Sequence, residues 1–469
     1  MRAAGESLVG RKRSGFRLGQ TLRNVFTVGG LTAFSRVLGL VREMLQSRLV
    51  GAGVEQSAFT LAFALPNMAR KLFGEGALTA AFVPVFRGAV EAGEVESARR
   101  LARAVLTLVL LILGSVVTLS VLGLSVALGL SAADVVALSP RAVLTLKLVR
   151  ILLPYMIFIC GAAFGMGVLN ALGRFVEGAF MPAFLNVVWI AALGALCFFP
   201  GLSPAARVTV VCWAILAGGA AQMAFLFRCL RKRGYGFRLV PLAAFRDAKF
   251  RLVWKNTLLG AAGAGAIQVN YLLDQVLGQL AAPWAAGVIG YAERLMDLPL
   301  GVVGVAFGTV LLPTFAGHFA KGDAAGARRA LKRAVLQMTA VMLPASVVTF
   351  FCAPLIVQLV YEGHAFDATA TVRVARALTV YGLGLCFFSV QKCLIPFFQA
   401  QNDMRTPLRV TVKTVVLNAV LNVLAIVVLP PEWRHVGLAA STSLCAFVGC
   451  VLLVRAPAFR RLFRRCPGA

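Results

Sequence analysis

About twelve stretches of this chain stay apolar over roughly 20 residues, the length that a helix needs to cross a bilayer. That repetition leaves little structural choice. In hydrocarbon every backbone amide must find an internal partner, so each such run folds as a helix. Hydrophobic residues make up 59% of the 469 residues and charged ones only 14%, against roughly 25% charged in a soluble domain. The expected class is an all-α polytopic membrane protein. The runs centre on residues 24–50, 55–73, 101–130, 142–172, 180–200, 205–228, 253–281, 285–316, 333–361, 370–400, 408–430 and 436–455. Residues 75–91 read as a bent or interfacial continuation of the second run.

The formal net charge is +29. A basic excess can signal nucleic acid, but here it lies in short loops and no nucleic-acid-binding pattern accompanies it. One set of loops holds Arg11-Lys12-Arg13, Arg99-Arg100, Arg231-Lys232-Arg233, Arg328-Arg329 and Arg464-Arg465. The alternating set, such as Gly51–Val54 and Ala281–Pro283, is nearly bare. The basic side faces the cytoplasm, which puts both termini inside. The organisation expected is a basic tail (1–22), a six-helix bundle (23–228), a basic linker (229–252), a second six-helix bundle (253–456) and a basic tail (457–469). The linker either draws anionic headgroups or only sets orientation. The first apolar run carries Arg36 and no clear cleavage site, so it reads as a retained helix. The ten cysteines are scattered, without CxxC or metal-ligand spacing, and read as core residues.

Charges interrupt the first two spans. Between Leu31 and Val83 stand Arg36, Arg42, Glu43, Arg48, Arg70, Lys71 and Glu75. A charge at bilayer depth costs at least ~2.5–3.5 kcal/mol and usually faces a bundle interior or a watery cavity. Arg48 and Lys71 lie near segment ends and can snorkel to the headgroups. Arg36 lies deeper. Arg36 and Glu43 are seven residues apart, so an unbroken helix puts them on one face. Pro66 is expected to break the second span.

The halves of the chain repeat. Pro84 and Phe86 precede Ala98-Arg99-Arg100 as Pro313 and Phe315 precede Ala327-Arg328-Arg329. Leu65-Pro66 matches Leu298-Pro299, Arg103 matches Arg333, and Asn186 answers Asn418. An even number of helices per unit makes the repeats parallel, and transporters built this way hold substrate between the halves and alternate access. The partner of the Pro66 region carries Glu293, Arg294 and Asp297. Two charged helices, one per half, are expected to face each other across a chamber. Arginine forks there suit an anionic, phosphate-bearing substrate. Mutual ion pairing, for instance Arg294 with Glu43 or Glu75, is compatible with that, because a gate can exchange ion pairs.

Long motifs carry a family resemblance. Ser35-Arg36-Val37-Leu38-Gly39-Leu40-Val41-Arg42-Glu43, Leu65-Pro66-Asn67-Met68-Ala69-Arg70-Lys71-Leu72-Phe73-Gly74-Glu75-Gly76-Ala77 and Tyr291-Ala292-Glu293-Arg294-Leu295-Met296-Asp297-Leu298-Pro299 resemble the MurJ (MviN) family. Its members are lipid II flippases of the MOP exporter superfamily. The resemblance implies a V-shaped central cavity and a transporter of the bacterial cytoplasmic (inner) membrane rather than an enzyme. It implies lipid II and membrane lipids as partners, with cell-wall synthesis proteins as further candidates and no nucleic acid. Carried over by motif, the substrate-binding arginines are Arg36, Arg42, Arg70 and Arg294. Glu43, Glu75 and Glu293 are the gate or ion-pair acids. No cofactor is expected apart from Na+ or another monovalent cation, which some members bind. By motif that site falls on Asp274, Asn418, Asn422 and Thr442, with Asn270 one turn before Asp274. Asn422 stands where the family can have Asp, so the same residues also read as a hydrogen-bonded pair between helices.

Departures from the family pattern are Ser57 for an Asp, Ala64 for a Lys, and about twelve helices where fourteen are usual. Three function classes are open on the sequence. They are a lipid II flippase, a MOP-type exporter of another polyprenyl-linked oligosaccharide or a drug, and a non-transporting scaffold for cell-wall synthesis. Buried arginines argue against a pure scaffold, since nothing there offsets their insertion cost. No G-x-S-x-G, P-loop or H-E-x-x-H pattern supports catalysis.

Overall fold

A computed structural model describes residues 27–460 except 28, 75, 134, 136, 239 and 458. Among the described residues the chain is helical, without strands, and one isolated bridge joins Gly363 to Phe366. Helix α1 covers 29–50. It is followed by α2 (Val54–Ala69), a π-helical turn (Arg70–Gly74), α3 (Ala77–Glu91), α4 (Val95–Ala132), α5 (Pro140–Leu152), α6 (Tyr155–Ala171), α7 (Phe175–Leu196) and α8 (Pro204–Arg231). The second half holds α9 (Ala248–Ala281), α10 (Ala285–Ala320), α11 (Ala324–Tyr361), α12 (Ala368–Gln399), α13 (Arg405–Val428) and α14 (Arg434–Arg455). Over its described residues each expected apolar run falls on one of these helices or on the joined pair α5–α6. The first expected basic tail, most of the last one and the start of the first run lie outside the described residues.

Among the described residues, eight helical stretches are long and apolar enough to cross a membrane by length and composition: α4, α5–α6, α7, α8 and α11–α14. Helices α1, α2, α9 and α10 also carry charged and amide side chains, among them Arg42, Glu43, Asn67, Asn270, Asp274, Glu293 and Arg294. Large apolar side chains lie exposed along the lipid-length helices, among them Leu119 on α4, Phe351 and Leu359 on α11 and Val427 on α13. A hydrocarbon solvent accepts such a surface, which in water would be an aggregation-prone patch.

The repeat is visible in local structure. Helices α4 and α11 are 38 residues each. Each starts after a tight turn whose glycine has positive φ, Gly93 at 78° and Gly322 at 69°. Asp323 caps α11 by accepting from Gly326 N at 2.7 Å. That backbone bond, with His318 beside it, holds the Asp323 carboxyl below its usual range. Before α4, Glu94 takes a hydrogen bond and an ion pair from Lys249, which lower its pKa.

Pro66 does not end the second span. Helix α2 runs through it, and the ladder instead widens one turn later into the π turn at Arg70–Gly74. Membrane helices tolerate proline through such local adjustments, which give the freed backbone groups new partners. In the second half Pro299 and Pro313 both lie inside the unbroken α10.

Contacts divide the chain into two compact units. The first contains Met1–Gln46, Leu65–Ala137 and Leu146–Ala261; its core includes Trp189, Phe82, Phe86 and Leu193. The second contains Ser47–Ala64, Leu138–Thr145 and Ala262–Ala469, around Tyr291, Tyr361, Phe366 and Tyr381. Within the second unit a short stretch of the first sequence half is stitched in by hydrogen bonds. Ser47 Oγ donates to Tyr361 O at 3.1 Å, Ala365 N to Arg48 O at 3.0 Å and Tyr291 Oη to Gly51 O at 3.2 Å. Ser57 takes Gly287 N on its hydroxyl at 2.8 Å and Gln279 Nε2 on its carbonyl at 2.6 Å. Arg141 donates through Nε to Gln279 Oε1 at 2.9 Å.

Gly51 is the tightest point of this seam. Its φ is +78°, and a Cβ there would lie 2.3 Å from Ala365 O. Gly93 has the same φ but open space around it. A non-glycine residue at such a φ costs roughly 1–2 kcal/mol. Gly93→Ala is expected to lose about that much, and Gly51→Ala clearly more, because the backbone of Ala365 must also move. Thermal unfolding of the two purified variants in detergent checks this; equal losses would mean that the seam is not tight at Gly51.

Candidate functional site

In the first unit two charges of α1, Arg42 and Glu43, are built into a cage. Arg42 donates through Nη1 to Asn186 Oδ1 on α7 at 2.9 Å and through Nη2 to Glu43. Its guanidinium carbon lies 4.2 Å from the centre of the Trp189 ring. Trp189, one turn beyond Asn186, is fully buried and donates Nε1 to Gln46 Oε1 at 2.8 Å. Asn186 in turn donates Nδ2 to Ser35 O at 3.0 Å. Glu43 is buried, at 6% exposure. The helix is unbroken from 29 to 50, so Arg36 and Glu43 do lie on one face.

Arg36 is half-buried and lines an open pocket of about 390 Å³ with Thr32, Ser35, Asn170, Phe175 and Pro182. Arg70 opens the π turn and donates to Asn67 Oδ1 through Nε at 3.3 Å and Nη2 at 3.0 Å. The carboxamide one turn back thus holds the guanidinium where the helix widens. Glu75 lies outside the described residues.

The second unit carries the other polar set. Glu293 and Arg294 are half-buried in α10, and Tyr381 of α12 donates its hydroxyl to Glu293 Oε1 at 3.4 Å. Lys392, three turns further along α12, reaches Leu300 O at 3.4 Å over Gly304. The five residues of the expected cation site do come together across α9, α13 and α14. Asn422 Nδ2 donates to Asp274 Oδ1 at 2.6 Å and to Asn418 Oδ1 at 3.0 Å. Asn270 Nδ2 donates to Asp274 Oδ2 at 3.2 Å, and Asn418 Nδ2 to Thr442 Oγ1 at 3.4 Å. Asn418 and Asn422 are buried. Asn270 Oδ1 and Asn422 Oδ1 are buried without a hydrogen-bond partner.

Sequence reasoning named the arginines and the amide cluster as candidates and missed the cage around Arg42. Asn186 stood out only as a repeat marker. Trp189, three residues on and so on the same helix face, and Gln46, four after Arg42, were not singled out. The available signal was that face: an amide and an indole inside an otherwise apolar helix, each needing a polar partner.

Among the described residues, apolar helices arranged in two sequence repeats, with polar residues inside the spans, match a multi-pass membrane protein fold of the MOP type. A solved lipid II flippase MurJ in an inward closed conformation has a TM-score of 0.75 at 23% identity, covering 91% of this chain and 86% of that one. An inward-facing multidrug resistance MATE transporter of the MOP superfamily scores 0.74 at 16% identity, covering 94% of this chain and 99% of that one. The fold alone does not separate the two groups; the sequence does. The model of the family described as lipid II flippase MurJ matches residues 46–462. A probable lipid II flippase MurJ of Rhizobium tropici is 33% identical over 453 residues, which span 95% of this chain and 81% of the relative. The Rhizobium meliloti (strain 1021) counterpart is 35% identical over 435 residues, 91% of this chain and 78% of its own length. The chain belongs to the MurJ family.

The amide cluster yields a stability prediction. Asn422→Leu leaves Asp274 Oδ1 buried without its 2.6 Å donor, at a cost of about 1–3 kcal/mol. Exchanging the two groups, Asp274→Asn with Asn422→Asp, keeps one carboxylate facing one amide and is expected to restore most of that loss. Unfolding midpoints of the single and double variants measure this. A double variant no better than the worse single one would show that the pairing is not what stabilises the cluster.

Proposed function

We propose that this chain moves lipid II, a diphosphate-linked disaccharide-peptide on a polyprenyl tail, from the inner to the outer leaflet of the bacterial cytoplasmic membrane. Family membership supports the substrate, and the observation that carries the chemistry is that guanidinium groups stand within the helical spans. Arg36 borders an open pocket, and Arg70 sits where a helix widens. A guanidinium presents a planar fork that matches phosphate oxygens bidentately. Arg36, Arg42, Arg70 and Arg294 would bind the diphosphate. Glu43 already shares a proton of Arg42, so an arriving phosphate competes with a carboxylate of like charge, and release restores the ion pair. Such exchange lets the site hold an anion without trapping it. Alternating exposure of these groups to the two faces of the membrane, with both termini on the cytoplasmic side, completes this reading.

A monovalent cation is part of the proposal. The donor set fits one: Asp274 supplies a single carboxylate, and Asn270, Asn418, Asn422 and Thr442 supply neutral oxygens. The unpartnered Oδ1 atoms of Asn270 and Asn422 support the fit. As described, the Asn422 amide donates where a cation would sit; half a turn about its last side-chain bond presents Oδ1 instead. A bound cation would supply charge balance for Asp274 and cross-link α9, α13 and α14.

Two outcomes test these readings. Arg36→Ala and Arg70→Ala are expected to slow lipid II flipping by about 10–100-fold, the worth of one or two charge-assisted hydrogen bonds, with membrane insertion intact. The lysine variants should recover only part, since an ammonium lacks the fork. Wild-type rates for Arg70→Ala in a vesicle flipping assay would reject the diphosphate reading. For the cation, adding Na+ in place of a large organic cation should raise the unfolding midpoint of the wild type but not of Asp274→Asn. An equal response in both would remove the cation from the proposal.

A further inference from the structure

The cage around Arg42 has more parts than a half-buried charge needs. Glu43 neutralises the guanidinium, yet Asn186 and Trp189 also engage it from α7. Each of these two is itself fixed by α1. Asn186 uses its amide N–H on the Ser35 carbonyl, which leaves Oδ1 as the end facing Arg42. Trp189 uses its indole N–H on Gln46, which sets the plane of the ring beneath the guanidinium. So each α7 side chain spends its donor on orientation and offers an acceptor oxygen or a π face to the arginine. A guanidinium over an indole gains about 0.5–2 kcal/mol, the more so when desolvated.

The repeat says where this cage belongs. Asn186 lies ten residues before the end of α7, and Asn418 ten before the end of α13. Arg42 lies eight residues before the end of α1, and Asp274 seven before the end of α9. The first and fifth spans of each half therefore meet at an asparagine in both. In the second half that asparagine belongs to an acid–amide cluster. In the first half the corresponding place holds a cation that is covalently part of the chain.

We infer that Asn186 and Trp189 are positioning residues for Arg42, and that Arg42 serves as a fixed positive centre rather than as a mobile arm. The consequence for transport rests on the flippase reading above; the coupling between the residues does not. Asn186→Leu keeps the branched shape and removes both the acceptor and the donor to Ser35. Asn186→Asp keeps the acceptor and adds a charge. Trp189→Phe keeps a π face and removes the link to Gln46.

The experiment uses the full chain in lipid nanodiscs and vesicles, with lipid II as the probe, and also measures unfolding without lipid II. Asn186→Leu is expected to slow flipping as much as Arg42→Ala, about 10-fold or more, and the double variant no further. Asn186→Asp should retain most of the rate, and Trp189→Phe should fall between. In unfolding, Arg42→Ala and Asn186→Leu should be non-additive. If Asn186→Leu flips normally while Asn186→Asp does not, Asn186 is a packing residue and the inference is overturned. Additive unfolding effects overturn it as well. A wild type that fails to flip lipid II but keeps the 42–186 coupling would reject the flippase reading and uphold this one.

Discussion

A guanidinium in hydrocarbon has to bring its own solvent. The structure meets that demand at Arg42 with a carboxylate, a carboxamide and an indole ring. Helix α7 is tied to α1 through those same groups, so charge burial and helix packing are one problem here. Elsewhere in the spans the rule is the same. Arg70 leans on Asn67, Glu293 on Tyr381 and Asp274 on two asparagines. Between apolar helices in lipid there is little hydrophobic drive to associate, so packing and polar links carry much of the specificity.

Much of this was legible in the sequence because lipid punishes polarity so severely. Apolar length gave the spans, charges out of place gave a wider set that includes Arg36, Arg42, Arg70 and Arg294, and the family motifs singled out these four. The i, i+4 spacing of Asn270 with Asp274 and of Asn418 with Asn422 already put each pair on one face; the family resemblance joined the pairs, and the structure brings them into contact. What stayed hidden was tertiary. Nothing local in Asn186 or Trp189 names Arg42, 144 residues away from Asn186, as the partner. The packing of Ser47–Ala64 with the second unit was equally unreadable, because hydropathy reports depth in the membrane and not neighbours. Pro66 marked trouble in the second span correctly but one turn early, since a helix can pass a proline and relax further along.

The two halves show how a duplicated scaffold diverges. Backbone features were kept: the 38-residue helices, the glycine turns at 93 and 322, and the asparagine of the fifth span. Side-chain chemistry was not. A cation occupies the place in one half where an anion stands in the other. Ser57 makes the same point on a smaller scale. Read in the sequence as standing where the family resemblance implies an acid, it uses its hydroxyl to receive Gly287 N.

Helices α4 and α11 are long for a reason other than span. Thirty-eight residues rise to about 57 Å, nearly twice the roughly 30 Å hydrocarbon layer. Each is therefore a lever arm. A tilt of about 6° around its midpoint swings either end by about 3 Å, simply from its length. The Arg-Arg pairs in the second turns of both helices, Arg99-Arg100 and Arg328-Arg329, lie near those swinging ends. A pair of spectroscopic labels on those turns would act as the needle of a gauge, turning small movements in the membrane into displacements large enough to measure.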